Sequence, residues 1–167
     1  MSRCLFVLDI TVLDRSEWHT LRDIRLTALQ ESPDSFLATY EQERTYAPDR
    51  WQAEFGRGDW NVGYLHRQPV SLLGVTREPD QSLKECFVEY LWVAPDIRGS
   101  GYGFFMLEAV VKRLQADGVR TVFLWVIDDN HRAISFYERA GFVSTHIRQP
   151  LESRPGKSEE RLLRRLG

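Results

Sequence analysis

The chain has 167 residues, of which 43% are hydrophobic and 28% charged, and its formal net charge is −2. This length and composition predict one globular domain with a hydrophobic core and argue against a disordered chain. The near-neutral charge provides no broad basic field, so neither nucleic acid nor a membrane surface is an expected partner. Cys4 and Cys86 have neither metal-ligand nor disulfide-framework spacing, so we expect no metal and a reducing, cytoplasmic compartment.

The first part of the chain predicts a strand followed by helices. A short apolar run over Leu5–Leu8 is typical of a first strand. Apolar residues then recur at helical spacing between Trp18 and Leu29, and Pro33 should end this helix. A second helical region is expected over Tyr40–Phe55, with a break near its internal proline.

The middle of the chain predicts three strands. Trp60–His66 and Pro69–Thr76 have strand composition, and a tight turn at Arg67-Gln68 should join them into a hairpin. Glu85–Val93 is a mostly apolar run with aromatic and branched residues, which is typical of a central strand.

The last part predicts a strand-helix-strand unit and a tail. An apolar face recurs from Gly103 to Gly118, where glycine should end a helix. A buried strand is expected at Val119–Ile127, a short helix capped by Asp129 or Asn130, and a strand near Phe142–Ile147. Residues 160–166 could add an edge strand. This order predicts an α/β layered domain with a mixed sheet.

A glycine-rich loop, Arg98-Gly99-Ser100-Gly101-Tyr102-Gly103, lies between the predicted strand 85–93 and the next helix. Glycines allow the backbone amides to converge on one point at a helix N-terminus, and such a nest binds phosphate or pyrophosphate. The Arg98 guanidinium could add a charged fork to the same anion. The loop lacks the Lys-Ser/Thr end of a nucleotide-hydrolase loop, and a bare turn is the alternative.

A second motif follows the next predicted strand, about thirty residues further on. It runs from Asn130 to Phe142 and reads NHRAISFYERAGF. Together with the glycine loop, it resembles the GNAT superfamily of acetyl-CoA dependent N-acetyltransferases. The loop meets that family's pattern Arg/Gln-x-x-Gly-x-Gly/Ala through Arg98, Gly101 and Gly103, and the later stretch meets Asn-x-x-Ala-x-x-Phe-Tyr-x-x-x-Gly-Phe throughout. Residues 22–43 also resemble a sparsely characterised bacterial subgroup of the superfamily.

The resemblance implies a single-domain GNAT-like fold over residues 1–167, with a mixed, mostly antiparallel central sheet flanked by helices and a cofactor-binding core at about 85–142. It implies acetyl-CoA as co-substrate, with the pantetheine arm along the strand before the loop and the pyrophosphate on the loop amides. The expected cofactor-binding residues are Leu91, Trp92, Val93, Arg98, Gly99, Ser100, Gly101, Tyr102, Gly103, Asn130 and Phe136.

The resemblance also implies the catalytic groups. A primary amine with a pKa of ~10.4 needs a base, and Glu89 is the first candidate, with Glu85 as the alternative. A backbone bulge expected near Glu89 would set the direction in which its side chain points. The amide of Trp92 or Val93 would polarise the thioester carbonyl, and Tyr137 would protonate the departing thiolate. Transfer would be direct, in a ternary complex.

The acceptor amine stays open between a small molecule, a peptide or protein N-terminus and a lysine. Two other functions also stay open: a non-catalytic sensor that binds coenzyme A or acyl-CoA, and a nucleic-acid or partner-binding module that uses the basic tail RLLRRL. Homodimers are common in the superfamily, so a homodimer is compatible with the resemblance.

Overall fold

The structure is a computed structural model, and it describes residues 7–167. Within these residues, the strands are β1 (Asp9–Val12), β2 (Gly58–Leu65), β3 (Gln68–Thr76), β4 (Glu85–Val93), β5 (Thr121–Ile127), β6 (Val143–Pro150) and β7 (Ser158–Arg165). The α-helices are α1 (Trp18–Glu31), α2 (Tyr40–Glu43), α3 (Pro48–Ala53), α4 (Tyr102–Ala116) and α5 (His131–Arg139).

The described strands form a seven-stranded sheet in the order β1-β2-β3-β4-β5-β7-β6. β1 and β2, β5 and β7, and β6 and β7 pair antiparallel, whereas β4 and β5 pair in parallel. The predicted α/β fold, with a mixed and mostly antiparallel sheet flanked by helices, is therefore confirmed. β4 matches its predicted bounds and is the central strand of this order.

The chain divides into two compact units. Unit 1 contains the described residues up to Gly74 together with residues 90–110, and unit 2 contains residues 75–89 and 111–167. The core of unit 1 forms around α1, which buries Leu21, Ile24, Ala28 and Leu29 at the predicted helical spacing. Three tryptophans complete this core, Trp51, Trp60 and Trp92.

Unit 2 corrects the prediction for the C-terminal tail. Its strand, β7, pairs with β5 on one side and with β6 on the other, so it is an interior strand and β6 lies at the edge. The mixed leucines and arginines of β7 suggested an edge strand, yet Leu162 is 3% exposed. The long antiparallel ladder between β5 and β7, from Thr121–Arg165 to Ile127–Glu159, supplies the backbone hydrogen bonds that hold this polar strand inside the sheet.

Two local predictions shift. The first strand was predicted at Leu5–Leu8; residues 5 and 6 lie outside the described residues, Val7 and Leu8 are not in a strand, and β1 begins at Asp9. The hairpin turn lies at His66-Arg67, one residue before its predicted place. Both turn residues have positive φ, 49° and 68°. This pair of left-handed residues is typical of a type I′ turn, whose twist matches that of the flanking strands.

The hairpin turn provides a stability prediction. Arg67→Gly should raise the free energy of unfolding by about 1 kcal/mol, because glycine adopts the left-handed conformation without the steric cost that an arginine pays. Urea unfolding measures the change. Gln68→Gly is the matched control: Gln68 is also exposed but starts β3, where glycine should destabilise the strand. Equal losses from both substitutions would contradict the prediction.

Candidate functional site

The glycine-rich loop has the backbone of an anion nest. Gly99 and Gly101 are exposed and left-handed, with φ of 76° and 88°, and α4 begins at Tyr102, directly after them. A 2.9 Å hydrogen bond from the Phe105 amide to the Gly101 carbonyl forms the first turn of α4. Ser100 lies between the two glycines, and Gly103 is the second residue of the helix. The first-turn amides, which have no partner within the helix, therefore face the loop.

The two left-handed glycines of the loop have open space where a side chain would begin. A Cβ built on Gly99 or on Gly101 would meet no heavy atom within 4 Å. Glycine is thus required here by backbone conformation and not by crowding from the protein itself. The concave backbone has the form and the partial positive charge that a phosphate or pyrophosphate needs.

The Arg98 side chain makes hydrogen bonds within the protein itself. Its Nε donates to the Val93 carbonyl at 2.8 Å, and its two terminal nitrogens donate to the carboxylate of Glu31 at 3.2 and 2.5 Å. The guanidinium fork therefore bonds the end of β4 and the end of α1, all within unit 1. The expected contact of this fork with a bound anion stays a prediction.

Glu31 is the residue that sequence reasoning missed. Partial burial tends to raise the pKa of its carboxyl, but hydrogen bonds from Arg98, Ser32 and Trp92 outweigh that effect and lower the pKa to about 2. One signal was present in the sequence: an acidic residue at the C-terminus of a helix opposes the helix dipole, which indicates a cationic partner elsewhere. The sequence did not indicate which cation this would be.

The end of β4 is irregular. Tyr90 has a φ of 59°, in the left-handed region, so the extended backbone is interrupted directly after Glu89, where a bulge was expected. Trp92 is buried in the unit 1 core, and its Nε1 donates to Glu31 at 3.0 Å. Leu91 and Val93 are half-buried. Of these three residues, Trp92 therefore points its side chain into the protein.

The backbone edge of β4 extends beyond its pairing with β5. The parallel ladder covers Glu85–Phe87 of β4, whereas the strand continues to Val93. The amide of the next residue, Ala94, donates to the Val70 carbonyl of β3 at 2.8 Å. Because backbone groups alternate in direction along a strand, those of Val93 point to the opposite edge, where the carbonyl accepts the hydrogen bond from Arg98 Nε and the amide faces outward. An extended ligand could add to that edge as another strand does.

Unit 2 contains both candidate catalytic side chains. Glu89 is half-buried, and its Oε1 atom is buried. Tyr137 lies on α5, and its ring packs edge-on against Phe136 and Phe142 at centroid distances of 5.2 and 5.7 Å. Desolvation of the phenol raises the pKa of Tyr137 to about 12. The hydroxyl therefore keeps its proton throughout the neutral range.

Asn130 has a structural task as well. Its Oδ1 accepts a hydrogen bond from the Ala133 amide at 3.1 Å and so caps α5, as one of the two predicted capping residues. The cap uses the carbonyl oxygen, which leaves the amide nitrogen of the side chain as a donor. Phe136 is half-buried.

The aromatic residues of the early helices and of β2, which could line an acceptor pocket, are mostly core residues. Trp51, Trp60 and Glu43 are each 3% exposed or less, and Tyr40 and Tyr46 pack against the same cluster. Among residues 7–167, no helix combines the length and apolar character that a membrane crossing needs. The same residues contain no group of three or more histidine, cysteine or acidic side chains arranged to hold a metal ion.

Known proteins resemble the chain both in sequence and in fold. Mycothiol acetyltransferase of Streptomyces coelicolor is 35% identical over 65 residues, which are 39% of this chain and 20% of that protein, so the match spans about a fifth of the relative. An acetyltransferase of the GNAT family from Streptococcus pneumoniae superposes with a TM-score of 0.78 at 15% identity, over 96% of this chain and 100% of the other. The protein yncA of Salmonella typhimurium, solved with its cofactor acetyl-CoA, superposes with a TM-score of 0.73 at 15% identity, over 96% and 95%.

The two structures show that the fold is shared. The model of the acetyltransferase (GNAT) family matches residues 18–142, which include the nest, the end of β4 and α5. The match covers most of the chain and every predicted site residue. The chain therefore belongs to the GNAT acetyltransferase family.

Proposed function

We propose that the chain is an N-acetyltransferase that transfers an acetyl group from acetyl-CoA to a primary amine. The observation that carries the proposal is the nest at Gly99–Gly103, because it combines left-handed glycines, open space and a helix N-terminus in a member of the GNAT family. Acetyl-CoA fits this cradle through its pyrophosphate. The whole of residues 1–167 acts as one acetyltransferase domain with its cofactor-binding core at about 85–142.

The binding residues divide by the part of acetyl-CoA that they meet. The amides of Gly99, Ser100, Gly101, Tyr102 and Gly103 bind the pyrophosphate, with Arg98 at the entrance of the loop. The backbone edge of Leu91, Trp92 and Val93 binds the pantetheine arm by strand addition. Support for this comes from the β4 edge that continues past the ladder with β5. Asn130 donates to the pantetheine side, and Phe136 packs against the cofactor.

The chemistry divides among three groups. When bound, acetyl-CoA supplies an activated thioester. Glu89 accepts the proton of the attacking amine directly or through a water, and Glu85 is the alternative base. The backbone amide of Val93 or Trp92 donates to the carbonyl oxygen as negative charge develops there. Tyr137 donates a proton to the sulfur as the carbon–sulfur bond breaks, and its high pKa supports this role because the phenol is protonated at neutral pH.

Direct transfer in a ternary complex fits the one cysteine that the structure describes. Cys86 is 0% exposed, so its thiol is a poor candidate for an acyl-enzyme nucleophile.

The acceptor is an amine of a small molecule, a peptide or protein N-terminus, or a lysine. The first experiment is release of the coenzyme A thiol over a panel of polyamines, amino acids, aminoglycosides and N-terminal peptides. Tight binding of acetyl-CoA without transfer to any amine would favour the non-catalytic sensor.

A charge placed in the nest tests the binding site. Gly101→Asp should weaken acetyl-CoA binding at least about tenfold, because its carboxylate would occupy the space of the pyrophosphate and repel it. Gly118→Asp is the matched control, since Gly118 lies just after α4, has a φ of 93° and also has no atom within 4 Å of a built Cβ. Both substitutions strain the backbone alike, so only the first should change affinity by calorimetry. Equal affinity for the two variants would refute the nest as the pyrophosphate site.

A further inference from the structure

The Arg98 side chain uses all three of its nitrogens within unit 1. Nε bonds the Val93 carbonyl at 2.8 Å, and Nη1 and Nη2 bond the two oxygens of Glu31 at 3.2 and 2.5 Å. Nη2 also donates to the Ser32 hydroxyl at 3.2 Å. A planar guanidinium engaged at both edges has a fixed orientation, and a lysine could not reproduce these bonds.

Glu31 is itself held in place. Its Oε2 accepts a hydrogen bond from Trp92 Nε1 at 3.0 Å, and Trp92 is 5% exposed in the core. The Ser32 hydroxyl donates to the same carboxylate. The Glu31 side chain is 30% exposed and that of Arg98 is 28% exposed, so this ion pair is partly shielded from water. A partly shielded, bidentate pair with fixed partners restrains geometry better than an exposed pair does.

The restrained residue is the one that opens the nest. Arg98 has extended backbone angles, φ −63° and ψ 149°, and the next residue is the first left-handed glycine. Glycine is conformationally permissive, so Gly99 and Gly101 do not select their nest conformation unaided. The bonds from Arg98 to Glu31 and Val93 fix the point from which the loop starts.

We propose that Glu31 is a positioning residue for the anion-binding loop. It holds Arg98, and through Arg98 it directs the loop amides, so that Arg98 acts on acetyl-CoA through loop geometry and not as a direct ligand of the pyrophosphate. This inference rests on the proposed function, because acetyl-CoA is the ligand whose binding it explains.

The direction in which Glu31→Gln changes acetyl-CoA affinity distinguishes the two possible roles of Arg98. If Glu31 positions the loop, Glu31→Gln should weaken acetyl-CoA binding about tenfold, because the charge-assisted bonds that orient Arg98 are lost. If Arg98 contacts the pyrophosphate directly, Glu31 competes for it, and Glu31→Gln should leave the affinity unchanged or increase it. Calorimetry with acetyl-CoA on the full chain measures the affinity. Glu41→Gln, which removes an exposed carboxylate paired with Arg44, is the charge-matched control and should have no effect.

Two further measurements keep the inference testable if Glu31→Gln fails to fold. Arg98→Lys keeps the charge but not the fork, so we expect it to weaken binding as much as Arg98→Met does, whereas a direct ligand would tolerate lysine. Hydrogen exchange of loop amides 99–105 in the free protein should be faster in both Arg98 variants, which loss of a ligand contact alone would not cause. Unchanged exchange, or lysine retaining wild-type affinity, would overturn the inference. A wild-type chain that does not bind acetyl-CoA would instead overturn the proposed function.

Discussion

Tyr137→Phe should lower kcat by about 10²–10⁴-fold with little change in acetyl-CoA affinity, which is the range for loss of a general acid. The substitution removes one oxygen and leaves the ring that packs between Phe136 and Phe142. The fold and the cofactor site should therefore persist. Steady-state kinetics on the amine identified by the panel, with calorimetry for acetyl-CoA, separates the two effects.

Tyr64→Phe is the matched control for this substitution. Tyr64 lies on β2, is half-buried, and has a pKa that burial likewise raises. Its hydroxyl has no assigned part in the reaction, so kcat should stay near the wild-type value. If Tyr137→Phe retained full kcat as well, Tyr137 could not be the acid.

The titration of Tyr137 predicts where pH should not matter. Because burial raises its pKa to about 12, the phenol keeps its proton between pH 7 and 9. An acid that is fully protonated over this range cannot cause an alkaline decline in kcat there. The free energy of unfolding follows the same titration. Below pH ~10, the pKa of an unfolded tyrosine, the phenol is neutral in both states and adds no pH dependence to stability. As the pH rises from there toward 12, the unfolded state ionises first and the protein loses stability.

Glu43→Ala should lower the free energy of unfolding by about 3–5 kcal/mol, the range for breaking a buried ion pair. Arg25 donates to Glu43 through two nitrogens, with Nε 2.5 Å from Oε2, and the two side chains are 6% and 4% exposed. Burial tends to lower the pKa of Arg25, but the hydrogen bond and charge of Glu43 outweigh it and raise the pKa. Without Glu43, the cation stays buried without its counter-charge.

The surroundings of Arg25 cannot compensate for this loss. Its guanidinium carbon lies 3.8 Å from the ring centroid of Tyr90 and 5.5 Å from that of Trp60. These cation–π contacts are already present in the wild type, and an aromatic ring carries no net negative charge to replace that of Glu43. Tyr90 is also the left-handed residue of β4, so the variant should change the packing at this irregular strand end.

Glu41→Ala on the same short helix is the control for Glu43→Ala. Glu41 pairs with Arg44, but the side chains of Arg44 and Glu41 are 52% and 72% exposed, so its loss should cost less than about 1 kcal/mol. Both substitutions change helix propensity equally. Urea unfolding of the two variants compares them directly, and similar losses would show that burial of the Arg25–Glu43 pair adds nothing.

Several elements could be read from the sequence because their signals are local. The apolar spacing of α1, the branched run of β4 and the break at Pro48 between α2 and α3 each depend on neighbours in the chain. The family resemblance was likewise carried by two short motifs, and the family match over residues 18–142 confirms it. The roles of Glu89 and Tyr137 stay predictions, because no measurement or comparison tests them.

Tertiary structure decided the features that depend on residues far apart in the chain. Residue types and spacing alone predicted the α/β fold class and the glycine nest, and the resemblance of two motifs to a known family predicted the family, which the match over residues 18–142 confirms. Only the folded chain placed β7 between β5 and β6, because strand order depends on long-range pairing that the residues of the tail do not specify. Only the fold brought Glu31 to Arg98, 67 positions away. An arginine guanidinium can pair with any carboxylate of the chain, and packing decides which carboxylate lies within reach.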